Sequence, residues 1–396
     1  MTATTRTGAF APIFLVAAFG LALSAGPAVA QKPGGTITVG LELDIPGFDP
    51  LKVGVYDTAA LTASSAMFET LTYLDANGKA QPRLALSWEP SEDFTRWTFK
   101  LRPGVKFHDG TPCTSADVKA TYDRMRNPPE GVVSSRKATF SDIASIETPD
   151  PLTVVFKLKG VNAAMLQHFG SPWNFIYSAK DLAKDANWPK TNINGTGAFT
   201  FVEHVKGSHV AGKRNENYHK KGLPYLDGFK GVFFLQAATM LNALQGGQVM
   251  AEFRGVSPAE RDRVVQVMGN RVRAEESSWT LNLMIVFNTE KKPFDDVRVR
   301  RALHLAIDRR GGAQGLARTA TLRDAGGLIR PGSPFAMKDE DLLKVPGFGR
   351  DINAARNEAR RLLREAGVPN LTFVLHNRNL AQPYTPAGIF VVDQWR

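Results

Sequence analysis

Residues Ala85–Met125, ALSWEPSEDFTRWTFKLRPGVKFHDGTPCTSADVKATYDRM, hold the reading that decides the fold. Trp97, Phe99 and Leu101 alternate with Thr98, Lys100 and Arg102, which is the period of a half-buried strand. Pro103-Gly104 breaks the run. Val105 and Phe107 resume the alternation, predicting a second strand that Asp109-Gly110 stops. Thr114 with Asp117 three residues on predicts a capped helix start, and Val118, Tyr122 and Met125 then share one helical face. The stretch reads as a small α/β unit with no chemistry of its own.

Working outward, Thr36–Gly40 predicts a short strand, followed by a loop of turn formers at 44–50. Residues 59–71 predict a helix, 152–158 (LTVVFKL) a strand, and Asn194-Gly-Thr-Gly197 a tight turn into a strand at 198–202. Ala237–Gln245 predicts a helix ended by Gly246. The apolar run Trp279–Asn288 (WTLNLMIVFN) predicts a long buried or lobe-crossing strand. Asp295-Asp296 caps a helix carrying Val299, Ala302, Leu303 and Ala306, which is expected to stop at Gly311-Gly312. A further helix starts at Asp351 or Asn353, with Ala355, Ala359, Leu362 and Ala366 on one face. Leu371–Leu375 then predicts a strand, and the last residues read as helix. Alternating strands and helices argue for an α/β class.

At 396 residues, 43% hydrophobic and 22% charged, the chain is globular and long enough for two or three domains. Residues 1–30 stand apart. Arg6 is their one charged side chain, 13–23 are apolar, and Ala28-Val29-Ala30 is a small-x-small site, which together predict a cleaved secretory signal peptide. A membrane anchor is the competing reading, against which the short apolar core and the placement of the site both count. Cys113 is the single cysteine, so no internal disulfide is expected. The formal charge of +11 raises nucleic acid as a partner. The charge is dispersed with no basic tract interleaved with aromatics, and export argues against such a partner, so no nucleic acid is expected. A solvated basic surface fits better, with an anionic ligand or membrane as its beneficiary.

Catalytic patterns are not evident. No G-x-S-x-G or H-E-x-x-H occurs, and the seven histidines never fall at a metal-ligand spacing on one helix. No metal or cofactor is expected. His108-Asp109 could orient a general base, and Glu89, Glu92 and Asp93 could supply paired carboxylates; turn chemistry accounts for both. The Asn194–Gly197 turn has neither the third glycine of a dinucleotide fingerprint nor the Gly-Lys of a P-loop.

A dozen segments in order carry a resemblance. Gly34-Gly35-Thr-Ile-Thr-Val, Phe48-Asp49-Pro50, Met67-Phe-Glu-Thr-Leu71 and Pro82-x-Leu84-Ala85-x-x-Trp88 lead into Leu101-Arg102-x-Gly104-Val-Lys-Phe107-His-Asp-Gly-Thr-Pro112. Ala116-Asp117-Val118, Gly195-Thr-Gly197-x-Phe199, Arg214-Asn215-x-x-Tyr218 and Pro224-Tyr-Leu-Asp227 follow. Phe287-Asn288, Pro293-Phe-x-Asp296-x-Arg298-Val-Arg300, Ala306-Ile-Asp308 and Glu358-Ala-x-x-Leu362-Leu-x-Glu365-Ala-Gly367 complete the set. The chain resembles the extracytoplasmic solute-binding proteins of ABC transporters, family 5, the oligopeptide, dipeptide and nickel type.

That resemblance implies a two-lobe α/β periplasmic binding-protein fold (type II, cluster C) with an inserted subdomain. Lobe I would take residues 34–55 and 195–278, the insertion 56–194, and lobe II 279–396. The second lobe would be incomplete, because family members continue past the counterpart of Arg396. The implied function is non-enzymatic capture of a peptide or related solute between the lobes, followed by delivery to a membrane permease and, through it, ATPase subunits. The protein would work as a periplasmic monomer. Candidate ligand-binding residues from lobe geometry are Phe48, Tyr56 and Asp57 after the first strand, Trp279 and Asn288 bracketing the crossing strand, and Arg378 and Tyr384 after the last. Core packing competes for each aromatic, and a surface role for Arg378. The alternatives are an exported hydrolase using His108-Asp109 or the Glu89–Asp93 acids, and a truncated, non-functional remnant of a binding protein.

Overall fold

Two sheets draw their strands from different parts of the chain. The computed structural model describes residues 33–49, 51, 58–253, 256–276, 283–322, 326–329, 331–333 and 335–396. The expected signal peptide and the candidates Tyr56, Asp57 and Trp279 lie outside these described residues. The strands are β1 (Thr36–Leu41), β2 (Thr72–Leu74), β3 (Ala80–Pro82), β4 (Ala85–Pro90), β5 (Arg96–Leu101), β6 (Ile143–Asp150), β7 (Thr153–Leu158), β8 (Phe199–Val205), β9 (His209–Arg214), β10 (Gly228–Phe233) and β11 (Ala251–Glu252). The helices are α1 (Thr58–Met67), α2 (Ser115–Arg126), α3 (Met165–Phe169), α4 (Ala179–Lys184), α5 (Ala237–Gln245) and α6 (Pro258–Met268). After these come α7 (Val297–Ala306), α8 (Gly311–Thr319), α9 (Asp339–Leu342), α10 (Ile352–Glu365) and α11 (Tyr384–Trp395).

The first sheet has the order β11-β1-β10-β9-β8. In it β1 runs parallel to both neighbours, Thr36 facing Gly228 and Val39 facing Ala251. β8, β9 and β10 form an antiparallel meander. The second sheet, β4-β5-β7-β6, is antiparallel throughout. A two-stranded β2-β3 ladder stands beside them.

The alternation read in the opening stretch is the one observed: Trp97, Phe99 and Leu101 are buried while Arg96 and Lys100 face solvent. They meet Tyr122 of α2, Phe156 of β7 and Phe169 of α3 in one core. Its rings pack largely edge to face, Tyr122 and Phe156 at 5.1 Å and Phe99 and Phe169 at 5.0 Å between centroids. The α2 capping box is present, the Thr114 amide donating to Asp117 Oδ2 at 2.7 Å. A second core joins α1, the 173–177 segment and the first sheet through Met67, Phe68, Phe175, Tyr177, Val210 and Phe229. Later in the chain α7 and α10 pack through a small cluster of Ala302, Leu305, Ala359 and Leu362. Their N-termini are capped as read, by Asp296 and Asp351.

Four local expectations are corrected. Val105–Phe107 forms only an isolated bridge, Lys106 to Pro112, because the Asp109-Gly110 turn folds the segment straight back on itself. α7 stops at Ala306, and Gly311-Gly312 open α8 instead of closing α7. Asp308 Oδ1 accepts from the Arg310 and Gly311 amides at 3.2 and 2.7 Å, which turns the chain at this point into the start of α8. Residues 283–288 of the expected crossing strand, and Leu371–Leu375, are not strands and have no ladder partner among the described residues. Apolar alternation makes a strand only where a neighbouring strand takes up its amides and carbonyls.

Candidate functional site

A buried polar cluster is centred on Glu69. Glu69 follows α1 and is 1% exposed. Its Oε2 accepts from His219 Nε2 at 2.9 Å and from the Thr196 hydroxyl at 3.2 Å. Its Oε1 accepts from the Tyr218 hydroxyl at 3.0 Å, with Arg83 Nε 3.7 Å away. Burial alone pushes the Glu69 pKa up, but the His219 hydrogen bond, the charges of His219 and Arg83 and the Tyr218 hydrogen bond outweigh it and leave the carboxyl below its ordinary value. The Tyr218 phenol is pushed up by burial and by the same carboxylate. Glu69 and Arg83 flank β2 and β3, whereas Thr196, Tyr218 and His219 flank β8 and β9, so one carboxylate ties the regions together.

His108 forms the second tie. Its Nδ1 accepts from the Gly195 amide at 3.3 Å and its Nε2 lies 3.2 Å from the Gly197 carbonyl, so the ring is neutral with both nitrogens engaged. Burial lowers its pKa, a pull only partly offset by the Gly197 carbonyl and the charges of Glu69 and Asp109. Next to it Asp109 Oδ1 accepts from the amide and hydroxyl of Thr111, and the Asp109 amide donates to Asn194 Oδ1. Gly195 and Gly197 allow this approach, since a Cβ on either would collide with the backbone of Met67. Asn215 Nδ2 donates to the Gly197 carbonyl at 2.9 Å. Arg214 pairs with Asp227 at 2.6 Å, and Asp227 Oδ2 accepts from the Gly35 amide at 2.8 Å. Asp49 takes both Nη atoms of Arg124, at 3.0 and 2.7 Å, with both side chains buried.

Asp49, Glu69, His108, Asp109, Thr196, Asn215, Tyr218 and Asp227 belong to the segments that carry the resemblance, and what they do is join layers. The sequence placed Glu69, Asp49, Asn215 and Tyr218 in those segments but gave no sign that they converge, because their partners lie far off along the chain. Neither candidate catalytic grouping is assembled. His108 has no free nitrogen, and Asp93 closes a turn by accepting from Ser91, Thr95 and the Thr95 amide. Burial pushes the Cys113 thiol far up, which keeps it unreactive. Among the described residues no group of three or more His, Cys, Asp or Glu could hold a metal ion, and no helix is long and apolar enough to cross a membrane.

The described ligand candidates separate into three places. Phe48 is buried in the second core, edge-on to Phe201 at 5.6 Å and to His204 at 5.8 Å, and its carbonyl accepts from the Tyr177 hydroxyl. That is a packing position. Asn288 is exposed and caps its own turn, accepting from the Glu290 amide at 3.0 Å. Arg378 and Tyr384 do come together: Nη1 donates to the phenol oxygen at 3.1 Å and the guanidinium stands 4.7 Å over the ring. Arg378 lines an open depression with Asn377, Asn379, Thr385 and Gly388.

Comparison with known proteins places the chain. Residues 79–396 match the family of bacterial extracellular solute-binding proteins, family 5. A putative ABC transporter peptide-binding protein of Brucella ovis is 33% identical over 364 residues, covering 88% of this chain and 64% of its own length. The chain thus spans under two thirds of that relative. The glutathione-binding protein GsiB of Salmonella paratyphi A is 29% identical and is covered over 69% of its length by 93% of this chain. Among solved structures, the binding protein AgaA of A. tumefacien R10, in complex with agropinic acid, superposes with a TM-score of 0.73 at 29% identity, over 91% of this chain and 70% of its own. OppA of Burkholderia pseudomallei, at 19% identity, shares the fold with a TM-score of 0.73 over 93% of this chain and 74% of its own. The chain belongs to the bacterial extracellular solute-binding proteins, family 5.

Proposed function

We propose that this chain is the solute-capturing component of an ABC importer, acting in the periplasm after removal of residues 1–30. The observation that carries the reading is the family match over residues 79–396. The names of its relatives support the class of cargo: one is a putative peptide-binding protein, one binds glutathione, and one was solved with agropinic acid. The engagement of both His108 nitrogens supports a non-enzymatic role.

In this reading residues 34–55 and 195–278 form the first lobe, 56–194 an insertion, and 279–396 belong to the second lobe. Solute contacts from both lobes favour a closed form over an open one, and the permease, coupled to ATPase subunits, receives that form. The protein acts as a monomer without a cofactor. Of the described candidates, Arg378, Tyr384 and Asn288 keep side chains where a solute could reach them, whereas Phe48 supports the core behind.

Thermal unfolding of the chain against short peptides, glutathione and agropinic acid tests the proposal. A cognate solute at a hundred times its Kd stabilises the folded form by about 2.7 kcal/mol, which raises Tm by several degrees. A folded chain whose Tm no member of the panel moves would overturn it.

A further inference from the structure

Summed by region, the net charge is uneven. Residues 297–365 hold 15 Lys and Arg against 8 Asp and Glu, so these 69 residues carry +7 of the chain's +11. Thirteen of the 15 are arginines, whose planar guanidinium matches phosphate oxygens with two donors at once. Several donate to neutral acceptors within the fold, which satisfies their N–H groups without cancelling their charge. Arg309 donates to the His304 and Gly347 carbonyls, and Arg356 to the Ala306 carbonyl and to Gln394 Oε1. Arg301, Arg318 and Arg364 are exposed, and no acid among the described residues pairs with them. The region therefore presents a positive field to solvent.

The same region exposes large apolar side chains in one short loop, 326–338, between α8 and α9. Leu328 is 79% exposed, Ile329 44%, Phe335 85% and Met337 55%, and Phe335 is the most exposed aromatic side chain among the described residues. From Ala325 to Lys338 the sequence has no acid and two bases, Arg330 and Lys338. The loop is braced. A Cβ on Gly326 would come within 2.7 Å of Pro331 Cδ, and one on Gly327 would stand 3.7 Å from Leu342 Cδ1, so the first arm lies against the turn and against α9. Gly332 takes φ +84° in that turn, and the Ala336 amide donates to the Ser333 carbonyl at 3.0 Å. The second arm runs into α9, whose Asp339 pairs with Arg310 at 2.6 Å and Asp341 with Lys344 at 2.8 Å. Of the three acids there, only Glu340 has no basic partner among the described residues.

Four large apolar side chains kept in water on a braced loop forgo the burial that would stabilise them, and such clusters mark contact surfaces. The charge around the loop selects the occupant. A surface that is apolar beneath and anionic above complements apolar side chains set among bases, and the interface of an anionic bilayer is such a surface. Either signal alone gives marginal, reversible attachment, whereas the two together hold a protein on a membrane. No helix among the described residues is long and apolar enough to cross, so the contact is peripheral. We propose that the 326–338 loop is a membrane-surface contact, its apolar side chains entering the headgroup region of an anionic phospholipid bilayer while arginines of residues 297–365 meet the phosphates. This goes beyond solute capture and does not depend on the cargo: it keeps the chain in the plane where a permease lies.

The test uses residues 31–396, the form left after removal of the first thirty, because the apolar run at 13–23 could enter a bilayer by itself. Cys113 is buried and its thiol is pushed far up, so an introduced exposed cysteine takes an environment-sensitive fluorophore alone. The label is placed at Met337→Cys in the loop and, as a control, at Val161→Cys, 74% exposed in another part of the chain. Vesicles of phosphatidylcholine with phosphatidylglycerol should shift the emission of the loop label to the blue, and molar salt should reverse the shift. Vesicles of phosphatidylcholine alone should leave it unmoved, and the control label should not respond to either. No shift in the loop, or equal shifts at both positions, overturns the proposal. A shift on concentrating the chain without lipid makes a second copy the occupant and overturns it as well. In co-sedimentation, the double variant Leu328→Ser with Phe335→Ser should bind the anionic vesicles about tenfold more weakly than the native chain while melting as it does. Unchanged binding by a folded double variant overturns the assignment to this loop. The labelling arm needs neither serine, so a double variant that fails to fold does not remove the test.

Discussion

Residues 34–252 and residues 283–396 have similar fractions of apolar residues and use them differently. In the first region every named strand has a ladder partner, and the largest fully buried side chains, from Phe68 to Phe175, all belong to it. In the second, no strand forms among the described residues, and the buried cluster is four residues, Ala302 and Leu305 of α7 with Ala359 and Leu362 of α10. Leu283, Met284, Val286 and Val374 are exposed there, although their runs read as strands. The difference shows that apolar periodicity is only half of a strand. In β5 the alternating face meets Tyr122 and Phe156 while the backbone is paired on both sides, to β4 and β7. In 283–288 and 371–375 single rings do pack, Phe287 and Phe373 against Phe294 and Trp395, but among the described residues no neighbouring strand takes up the backbone.

The sharpest way to break the first region is at its tightest approach. Gly195→Val puts a side chain inside van der Waals distance of the Met67 carbonyl, and backbone on both sides cannot retreat. The expected loss exceeds about 4 kcal/mol, so circular dichroism should find no cooperative melt. Phe156→Ala comes next. Phe156 is buried against Phe99, Tyr122 and Phe169, its ring centroid 4.5 Å from that of Phe169, and its removal opens a cavity that costs about 3–5 kcal/mol in denaturant unfolding.

Glu69→Gln is expected to cost less, about 2–3 kcal/mol, because the amide keeps one acceptor while turning a donor toward groups that already donate. Its pH signature separates it from a packing defect. The folded-state pKa of Glu69 lies below the ordinary 4.5, so its contribution is fully present above that pH and is lost as pH falls through the depressed folded value. Denaturant midpoints measured from pH 6 downward should therefore fall less steeply in Glu69→Gln than in the native chain. Parallel curves would show that the carboxylate is not what the acid limb titrates.

Much of the fold was legible because its signals are local. Thr114 and Asp117 are three residues apart, and Trp97, Phe99 and Leu101 two apart, so one short window contains both the cause and the consequence. The family segments could be read as identity but not as physics. Glu69 meets Thr196 and His219 across more than a hundred residues, and no periodicity records such a pairing. Candidate ligand residues were the least legible. Phe48 carries the same aromatic signal whether it faces a solute or the ring of Phe201, and only its neighbours decide.

The smallest expected effect probes the second region. Val286 is 85% exposed and has no ladder to support, so Val286→Ser removes little that folding had buried. Its cost should stay within about 0.5 kcal/mol in denaturant unfolding, the range of surface changes away from caps and cores. In a paired, buried strand the same change would remove a β-branched side chain from its neighbours and leave a hydroxyl without a partner, at a cost of more than about 1 kcal/mol. The paired substitution Val154→Ser, at a buried position in β7 facing Phe99, supplies that reference within one molecule. A wide gap between the two costs confirms that the regions differ in ladder and burial and not in composition. Equal costs would mean that the 283–288 run is held in solution by contacts of the kind β7 makes, and the contrast between the two regions would collapse.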